Sequence, residues 1–238
     1  MLKQKNQFVI YAPELLESSD LALFDPAGAP DASRTGSKTG GRDTVDFLRI
    51  AGRDYVLRHY WRGGVVARVN RQSYLWLGLE RSRPFKEWRL LNKLYQDGLP
   101  VPRPAAARVL RRGIVYRGDL LTEYLPATQT LAEYIAQNAL PAEAWMQIGA
   151  VIRRFHQAGA YHADLNANNI LLNEQEEIFL IDWDRGQLRQ ANPSWQEANL
   201  QRLARSLNKL AGLTRGFRYS EDDWQSWKTG YERGASPS

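Results

Sequence analysis

The sequence predicts an α+β protein with two lobes, a small β-rich N-terminal lobe and a mostly helical C-terminal lobe. Short runs of apolar and β-branched residues separated by turn-forming residues dominate the first half of the chain, and helical periodicity dominates the second half. The change falls at the Leu125-Pro126 step. We therefore expect one lobe over residues 1–124 and another over residues 125–238, with a hinge where ligand clefts commonly lie.

The elements of the first half follow from apolar periodicity and turn signals. Strands are predicted at residues 45–50 and 55–58, and again at 107–110 and 114–121. A helix is predicted over residues 85–96, with leucines on one face and Gly98 just beyond its end. Residues 25–42 are rich in Gly, Pro, Ala, Ser and Thr, so we expect them to form a loop.

The second half has the longer helical patterns. Helices are predicted at residues 131–137, 142–159, 199–210 and 223–232, with two short apolar strands within residues 170–182. The N-terminus has no apolar core of a secretory signal, and the chain has no run of about 18 apolar residues, so we expect neither export nor a membrane span.

Composition limits the chemistry and the partners. The absence of cysteine excludes disulfides, thiolate metal sites and cysteine nucleophiles. Lysine and arginine outnumber aspartate and glutamate by 32 to 26, a net charge of +6 that favours anionic partners. No helix-turn-helix, zinc-finger or RRM pattern is present, so we expect no nucleic-acid partner, and nothing predicts an obligate protein partner.

One constellation of polar residues indicates phosphoryl transfer. Asp164 in the segment HADLNANNILL (162–172) is followed five residues later by Asn169, and Asp182 ends the next apolar run, FLID. Phosphoryl transfer needs a carboxylate near the acceptor hydroxyl, and Mg²⁺ prefers hard oxygen ligands such as those of Asp and Asn. A strand-turn-strand between the two segments would bring Asp182 back beside Asp164 and Asn169.

These segments resemble the H-R-D-L-x-x-x-x-N catalytic loop and the D-F-G metal motif of protein-kinase-like enzymes. The resemblance implies a protein-kinase-like fold with ATP and Mg²⁺ as cofactors. Asp164 would be the catalytic base, with His162 as a second candidate catalytic residue, and Asn169 and Asp182 would bind the metal. Asp184 replaces the glycine of D-F-G, and this carboxylate would either bind a second Mg²⁺ or pair with its neighbour Arg185.

The resemblance also implies nucleotide-binding residues in the first half. Gly40, Gly41 and Arg42 end a glycine-rich segment, 36–42, that would cover the phosphates, although such segments are often plain loops. Arg58 stands where these kinases have a phosphate-binding lysine; the alternative is a solvated strand residue.

The helix and the hinge supply two further candidates. Glu87 would pair with the Arg58 cation, unless it is a carboxylate favoured by the helix N-terminus. Glu123 stands where the hinge would offer backbone groups to adenine. Only 52 residues follow Gly186 and no A-P-E motif is found among them, which favours a small or glycolipid hydroxyl over a peptide as acceptor.

A finer resemblance covers most of the chain and is to the kinases of 3-deoxy-D-manno-octulosonic acid (Kdo). The segments concerned are VLRHY (56–60), RGG (62–64), RPF (83–85), GLPVPRP (98–104), IRRFH (152–156), DRG (184–186) and NLQRLARSL (199–207). This resemblance implies phosphorylation of the Kdo 4-hydroxyl on a lipid A precursor. The enzyme would be a peripheral protein at the cytoplasmic face of the inner membrane of a Gram-negative bacterium.

Residues 58–86 agree with that acceptor, because they contain seven Lys or Arg, one acid and interleaved aromatic side chains. Several alternatives stay open. A lipopolysaccharide heptose kinase or an aminoglycoside phosphotransferase-like enzyme would have the same fold. The arginine at 58 and the altered D-F-G also allow a nucleotide-binding pseudokinase, and a nucleic-acid binder would rest on charge alone.

Overall fold

The computed structural model describes residues 1–17, 24, 33–40, 43–60 and 74–234, and the chain divides into two compact units. The first unit is Met1–Asn92 with Pro102–Tyr124, and the second is Lys93–Val101 with Leu125–Ser238. The first unit is mainly strand and the second mainly helix. This content confirms the predicted α+β class.

The first unit is built on one antiparallel sheet. Its strands are β1 (Leu2–Gln4), β2 (Gln7–Tyr11), β3 (Ser33–Gly40), β4 (Asp43–Ile50), β5 (Arg53–His59), β6 (Tyr74–Leu75), β7 (Pro104–Arg112) and β8 (Val115–Glu123). Their order is β1-β2-β7-β8-β5-β4-β3, and β6 also pairs with β8. The four strands predicted from sequence are present, each longer than its apolar run because pairing extends into the polar ends.

The loop predicted at residues 25–42 is wrong for residues 33–40, which form β3. This strand pairs with β4 from Ser33 opposite Arg49 to Gly40 opposite Asp43, with a register shift between Arg34 and Gly36. The segment has no alternation of apolar and polar residues, so its strand conformation depends on cross-strand hydrogen bonds that the local sequence does not encode.

Helix α1 (Arg83–Gln96) is amphipathic and buries one apolar face. Leu90, Leu91 and Leu94 are buried on one face, as their helical spacing predicts, and Phe85 in the first turn is buried as well. The helix ends where Gly98 adopts a left-handed conformation (φ 72°) and the Leu99 N–H donates to the Leu94 carbonyl, a helix end that favours glycine.

The second unit has four helices and short strands within its described part. The helices are α2 (Leu131–Gln137), α3 (Ala142–Gln157), α4 (Pro193–Leu213) and α5 (Glu221–Arg233), and the strands are β9 (Gln129–Thr130), β10 (Ala160–Tyr161), β11 (Ile170–Leu172), β12 (Ile178–Leu180) and β13 (Gln187–Leu188). All four helices were predicted, although α4 starts six residues before its predicted bound. Of the helices in the described ranges, none has both the length and the apolar character to cross a membrane.

Helices α3 and α5 approach each other closely at two glycines. A Cβ on Gly149 would overlap the Trp227 carbonyl oxygen, and a Cβ on Gly230 would overlap the Met146 carbonyl oxygen. The two backbones are therefore in contact, and the fully buried Trp227 packs at the same crossing.

Candidate functional site

The loop between β10 and β11 fixes the backbone of Asp164 and exposes its carboxylate. The Asp164 N–H donates to His162 Nδ1 (3.2 Å), and the Asp164 carbonyl accepts hydrogen bonds from the side-chain amides of Asn166 and Asn169, both at 2.9 Å. The Asp164 side chain is 60% exposed. The Asp164 backbone therefore has a defined position, and its carboxylate is accessible to a hydroxyl group of a bound molecule.

His162 is buried, and both of its ring nitrogens bind backbone groups. Nε2 donates to the Ile181 carbonyl (2.9 Å), because a carbonyl can only accept, and Nδ1 accepts from the Asp164 N–H. This pattern requires a neutral ring, and burial lowers the pKa of His162 accordingly. The imidazole therefore joins the Asp164 loop to the residue that precedes Asp182.

Asn169 and Asp182 are held next to each other along the backbone. The Ile181 N–H donates to the Asn169 carbonyl (3.0 Å), and the Asn169 amide nitrogen is turned toward the Asp164 carbonyl. The Asn169 Oδ1 therefore points away from that bond. Asp182 adopts a left-handed conformation (φ 60°), which is uncommon for a residue other than glycine and often occurs at functional sites.

The residues after Asp182 anchor this strained position. Trp183 is fully buried, and its indole N–H donates to the Leu180 carbonyl (3.0 Å). Asp184 is half-buried in a turn that the Gly186 N–H closes on the Trp183 carbonyl (2.8 Å). The Asn169 and Asp182 oxygens have the hard-ligand chemistry that Mg²⁺ prefers, so this donor set fits the ion.

Helix α4 contacts the same loop through three polar residues that sequence reasoning did not assign. The Asn199 side-chain amide donates to the His162 carbonyl (2.9 Å), Arg202 Nη1 lies 3.3 Å from Asp164 Oδ1, and the Ser206 hydroxyl accepts from the Ala167 N–H (3.3 Å). Their spacing of three and four residues places them on one helix face. In the sequence, the three polar residues at this spacing on an amphipathic helix were the signal that could have indicated their role.

In the first unit the structure brings Arg58 and Glu87 together. Arg58 on β5 forms an ion pair with the Glu87 carboxylate on α1, and the Tyr60 hydroxyl donates to the second Glu87 oxygen. The Glu87 side chain is only 2% exposed. Glu87 lies beyond the first turn of α1, so the helix N-terminus does not explain its position. Burial and the nearby Glu87 carboxylate raise the pKa of Tyr60 well above its usual range, which keeps its hydroxyl a donor.

The glycine-rich candidates are only partly described. Gly40 is the last residue of β3 and lies opposite Asp43, so the segment leads into the β3–β4 connection. Gly41 and Arg42 lie outside the described residues, as does the 62–64 segment.

Glu123 is the last residue of β8. Its N–H donates to the Arg103 carbonyl (2.9 Å), and its carboxylate lies 3.7 Å from the Arg53 guanidinium. The next residue, Tyr124, donates its N–H to the Asp54 carbonyl (2.9 Å). Beside it lies an open cavity of about 360 Å³, lined by Phe47, Arg49, Asp54, Tyr55 and Tyr124.

Comparison with known proteins now identifies the family. The sequence model of the lipopolysaccharide kinase (Kdo/WaaP) family matches residues 32–231. The chain belongs to this family. It is therefore a kinase, and the resemblance predicted from the Asp164 and Asp182 segments is confirmed.

Several relatives of this lipopolysaccharide-kinase-family protein have the same name, 3-deoxy-D-manno-octulosonic acid kinase. The relative from Xanthomonas axonopodis pv. citri is 46% identical over 204 residues, which cover 86% of this chain and 81% of the relative. The relative from Xanthomonas oryzae pv. oryzae is 44% identical over 227 residues, or 94% of this chain and 89% of the relative. The relative from Vibrio vulnificus is 37% identical over 224 residues, which cover 94% of both chains.

Proposed function

We propose that this kinase transfers the γ-phosphate of ATP to the 4-hydroxyl of Kdo on a lipid A precursor, a step of lipopolysaccharide biosynthesis. The choice of acceptor is supported by the name shared by relatives that align with most of the chain. The observation that carries phosphoryl transfer is the hydrogen-bonded chain from Asp164 through Asn169 to Ile181. It holds Asn169 and the residue before Asp182 next to the loop that carries the exposed Asp164 carboxylate, which supports the proposed roles of these residues.

In this proposal Asp164 receives the proton of the Kdo hydroxyl. The hydroxyl oxygen forms a bond to the γ-phosphorus, the bond from that phosphorus to the β–γ bridging oxygen breaks, and ADP leaves. Asn169 Oδ1 and the Asp182 carboxylate would hold Mg²⁺, and Asp184 would be a candidate ligand for a second ion. Bound Mg²⁺ would supply charge neutralisation at the phosphates. The fixed backbone of Asp164 supports catalysis by positioning.

His162 is a positioning residue in this mechanism. Its ring is buried and both nitrogens bind backbone groups, so it has no free atom to offer to the acceptor. Its contribution is to hold Asp164 at a fixed distance from the strand end that precedes Asp182.

For the first unit we propose a nucleotide-binding role. Arg58, held by Glu87, would neutralise phosphate charge together with the backbone of Gly40 and Gly41, and Arg42 would add a cation. The aromatic side chains around the cavity beside Glu123 would suit an adenine ring. In this proposal residues 1–124 and 125–238 are the nucleotide-binding lobe and the catalytic lobe.

We further propose that the enzyme binds the cytoplasmic face of the inner membrane as a peripheral protein. Leu75, Leu77 and Ile114 are 53%, 60% and 76% exposed, and they lie together because the Trp76 N–H donates to the Ile114 carbonyl (2.8 Å). We call these three residues the aliphatic tip. Exposed apolar side chains grouped in this way are typical of interaction surfaces.

The charges around the aliphatic tip favour an anionic membrane. Arg111 and Arg112 precede Ile114 in the turn between β7 and β8, and both are exposed. The Arg111 N–H donates to the Asn6 carbonyl (2.8 Å), which brings the exposed Lys5 of the β1–β2 turn to the same end of the sheet. Basic residues next to apolar ones bind anionic lipid surfaces.

The test is a phosphotransfer assay with purified protein, Mg²⁺ and ATP labelled at the γ-phosphate. One reaction receives Kdo-bearing lipid A precursor, and a matched reaction receives the same lipid without Kdo. Label entering only the Kdo lipid supports the proposal, and NMR of the product would locate the phosphate at the 4-position. If ATP binds and neither lipid is labelled, the acceptor is wrong. If ATP does not bind at all, the nucleotide-binding role proposed for the first unit is wrong as well.

A further inference from the structure

Arg202 lies directly beside the proposed catalytic carboxylate. Its Nη1 is 3.3 Å from Asp164 Oδ1, and the two side chains are 45% and 60% exposed. An ion pair this exposed contributes little to stability, so a competing anion can take the guanidinium at small cost.

The backbone that carries Arg202 is fixed relative to the Asp164 loop. Asn199, one turn earlier on α4, donates to the His162 carbonyl, and Ser206, one turn later, accepts from the Ala167 N–H. Leu203 on the same helix is fully buried. The guanidinium is therefore presented from a rigid element next to the carboxylate, as a positioned binding group requires.

The proposed acceptor is an acid, and its carboxylate creates an electrostatic problem at this site. Its carboxyl group and its 4-hydroxyl belong to the same sugar, so a hydroxyl bound at Asp164 brings a second negative charge close to the first. Like charges at short distance repel, and a cation between them removes the repulsion. Guanidinium also matches a carboxylate geometrically, because its N–H groups form two parallel hydrogen bonds.

We propose that Arg202 binds the carboxylate of the acidic sugar and thereby places the sugar hydroxyl at Asp164. This inference rests on the proposed function and deepens it by assigning a residue to acceptor recognition. Arg202 changes its partner from Asp164 to the acceptor carboxylate when the acceptor binds. It recognises a carboxylate on the same sugar as the reacting hydroxyl, so a neutral sugar is a poor acceptor.

The experiment compares two acceptors and four proteins. The acceptors are Kdo-bearing lipid A precursor and the same lipid with the Kdo carboxyl group converted to its methyl ester. The proteins are wild type, Arg202→Gln, Arg202→Lys and a matched control, Arg215→Gln, which removes an exposed arginine beyond the end of α4. Thermal melting of each protein checks that it is folded, and the KM for ATP is measured alongside.

Wild type should lose about 10- to 100-fold in kcat/KM on the ester, as expected for a lost charge-assisted pair. Arg202→Gln should have a kcat/KM on the acid that is lower than that of wild type by a similar factor, and its kcat/KM on the ester should be close to that of wild type on the ester. Arg202→Lys should recover part of the loss on the acid. Arg215→Gln should match wild type on both acceptors. An equal loss by Arg202→Gln on both acceptors would overturn the inference and assign Arg202 only to orienting Asp164. If wild type labels neither acceptor while binding ATP, the proposed function itself fails, and this inference fails with it.

Discussion

The guanidinium of Arg58 and the carboxylate of Glu87 form an ion pair that joins β5 to α1 inside the first unit. The Glu87 side chain is 2% exposed, and the Tyr60 hydroxyl donates to its second oxygen. A buried carboxylate that loses its cation is left uncompensated, which is strongly destabilising. Removing the arginine proposed to bind phosphate should therefore also destabilise the fold.

Arg58→Met should lower the free energy of unfolding by about 3–5 kcal/mol, because it removes the Arg58 cation from the buried Glu87 carboxylate. Arg58→Lys should cost less, since it keeps the charge. Urea denaturation at neutral pH measures both. The control is Arg53→Met, whose partner Glu123 is 30% exposed, and its cost should stay within about 1 kcal/mol. Equal losses in Arg58→Met and Arg53→Met would contradict the prediction.

The contact between α3 and α5 predicts opposite effects for alanine at different glycines. Gly149→Ala should destabilise the protein by at least about 1–3 kcal/mol, because the added methyl overlaps the Trp227 carbonyl and backbone cannot move aside easily. Gly212→Ala on α4 meets nothing within 4 Å and should stabilise by up to about 1 kcal/mol through helix propensity. Thermal denaturation of the two variants gives the comparison. A Gly149→Ala protein as stable as wild type would show that the helices can separate without cost.

Local sequence patterns predicted the elements that have strong local signals. Helix α2 has the predicted bounds, and the strands around residues 45–58 and 107–121 were found because apolar runs and turns define them. Strand β3 and the terminal pair β1 and β2 were not predicted. Strand β2 pairs with β7, which is distant in sequence, and no local pattern indicates that pairing. Strand β3 pairs with the adjacent β4, but its sequence has no alternation of apolar and polar residues that would have predicted a strand.

The candidate site shows the same division. The spacing of Asp164, Asn169 and Asp182 was sufficient to select them. The stripe of polar residues on α4 that includes Arg202 is visible in the sequence, but its partners could not be predicted, because they depend on how α4 packs against a loop more than thirty residues earlier. The role of His162 was not predictable either, because the backbone group that each ring nitrogen binds depends on the tertiary structure.

His156 should make stability depend on acid pH. Burial, and to a smaller extent the charge of Arg153, lower its pKa to about 4 from an ordinary value of 6.5. Below pH 6.5 His156 is therefore protonated in the unfolded chain, whereas in the folded protein it stays neutral down to about pH 4. The free energy of unfolding therefore falls as the pH falls from 6.5 to 4. The contribution is about 2 kcal/mol between pH 6.5 and 5.

The measurement is urea denaturation of wild type and His156→Gln from pH 7 to pH 5. His162 has a lowered pKa as well, but it is present in both proteins and cancels in the difference. The stability gap between the two proteins should shrink as pH falls. A constant gap would mean that His156 titrates alike in the folded and unfolded states.

Asp164→Asn should strongly reduce turnover while leaving the fold intact. The carboxylate is exposed, and its one ion pair within the described residues is the weak pair with Arg202, so the melting temperature should stay within a few degrees of wild type. The loss of a positioned proton acceptor should lower kcat by about 10²- to 10⁴-fold. Calorimetry of Mg·ATP binding should give a Kd near that of wild type. Activity close to wild type would remove Asp164 from the proposed mechanism.

Removing the aliphatic tip should weaken membrane binding without affecting phosphotransfer to a detergent-dispersed acceptor. Leu75→Ser with Leu77→Ser should reduce binding to vesicles containing phosphatidylglycerol by at least about tenfold, because both side chains lose apolar contact with lipid. Arg111→Gln with Arg112→Gln should weaken binding by about 1 kcal/mol per residue, and only on anionic vesicles.

Leu213→Ser is the matched control, since Leu213 is 72% exposed in the second unit. Flotation of all three variants with anionic and neutral vesicles distinguishes the contribution of the apolar side chains to binding from the contribution of the arginines. If Leu213→Ser and the double leucine variant bind equally well, some other surface of the protein faces the membrane.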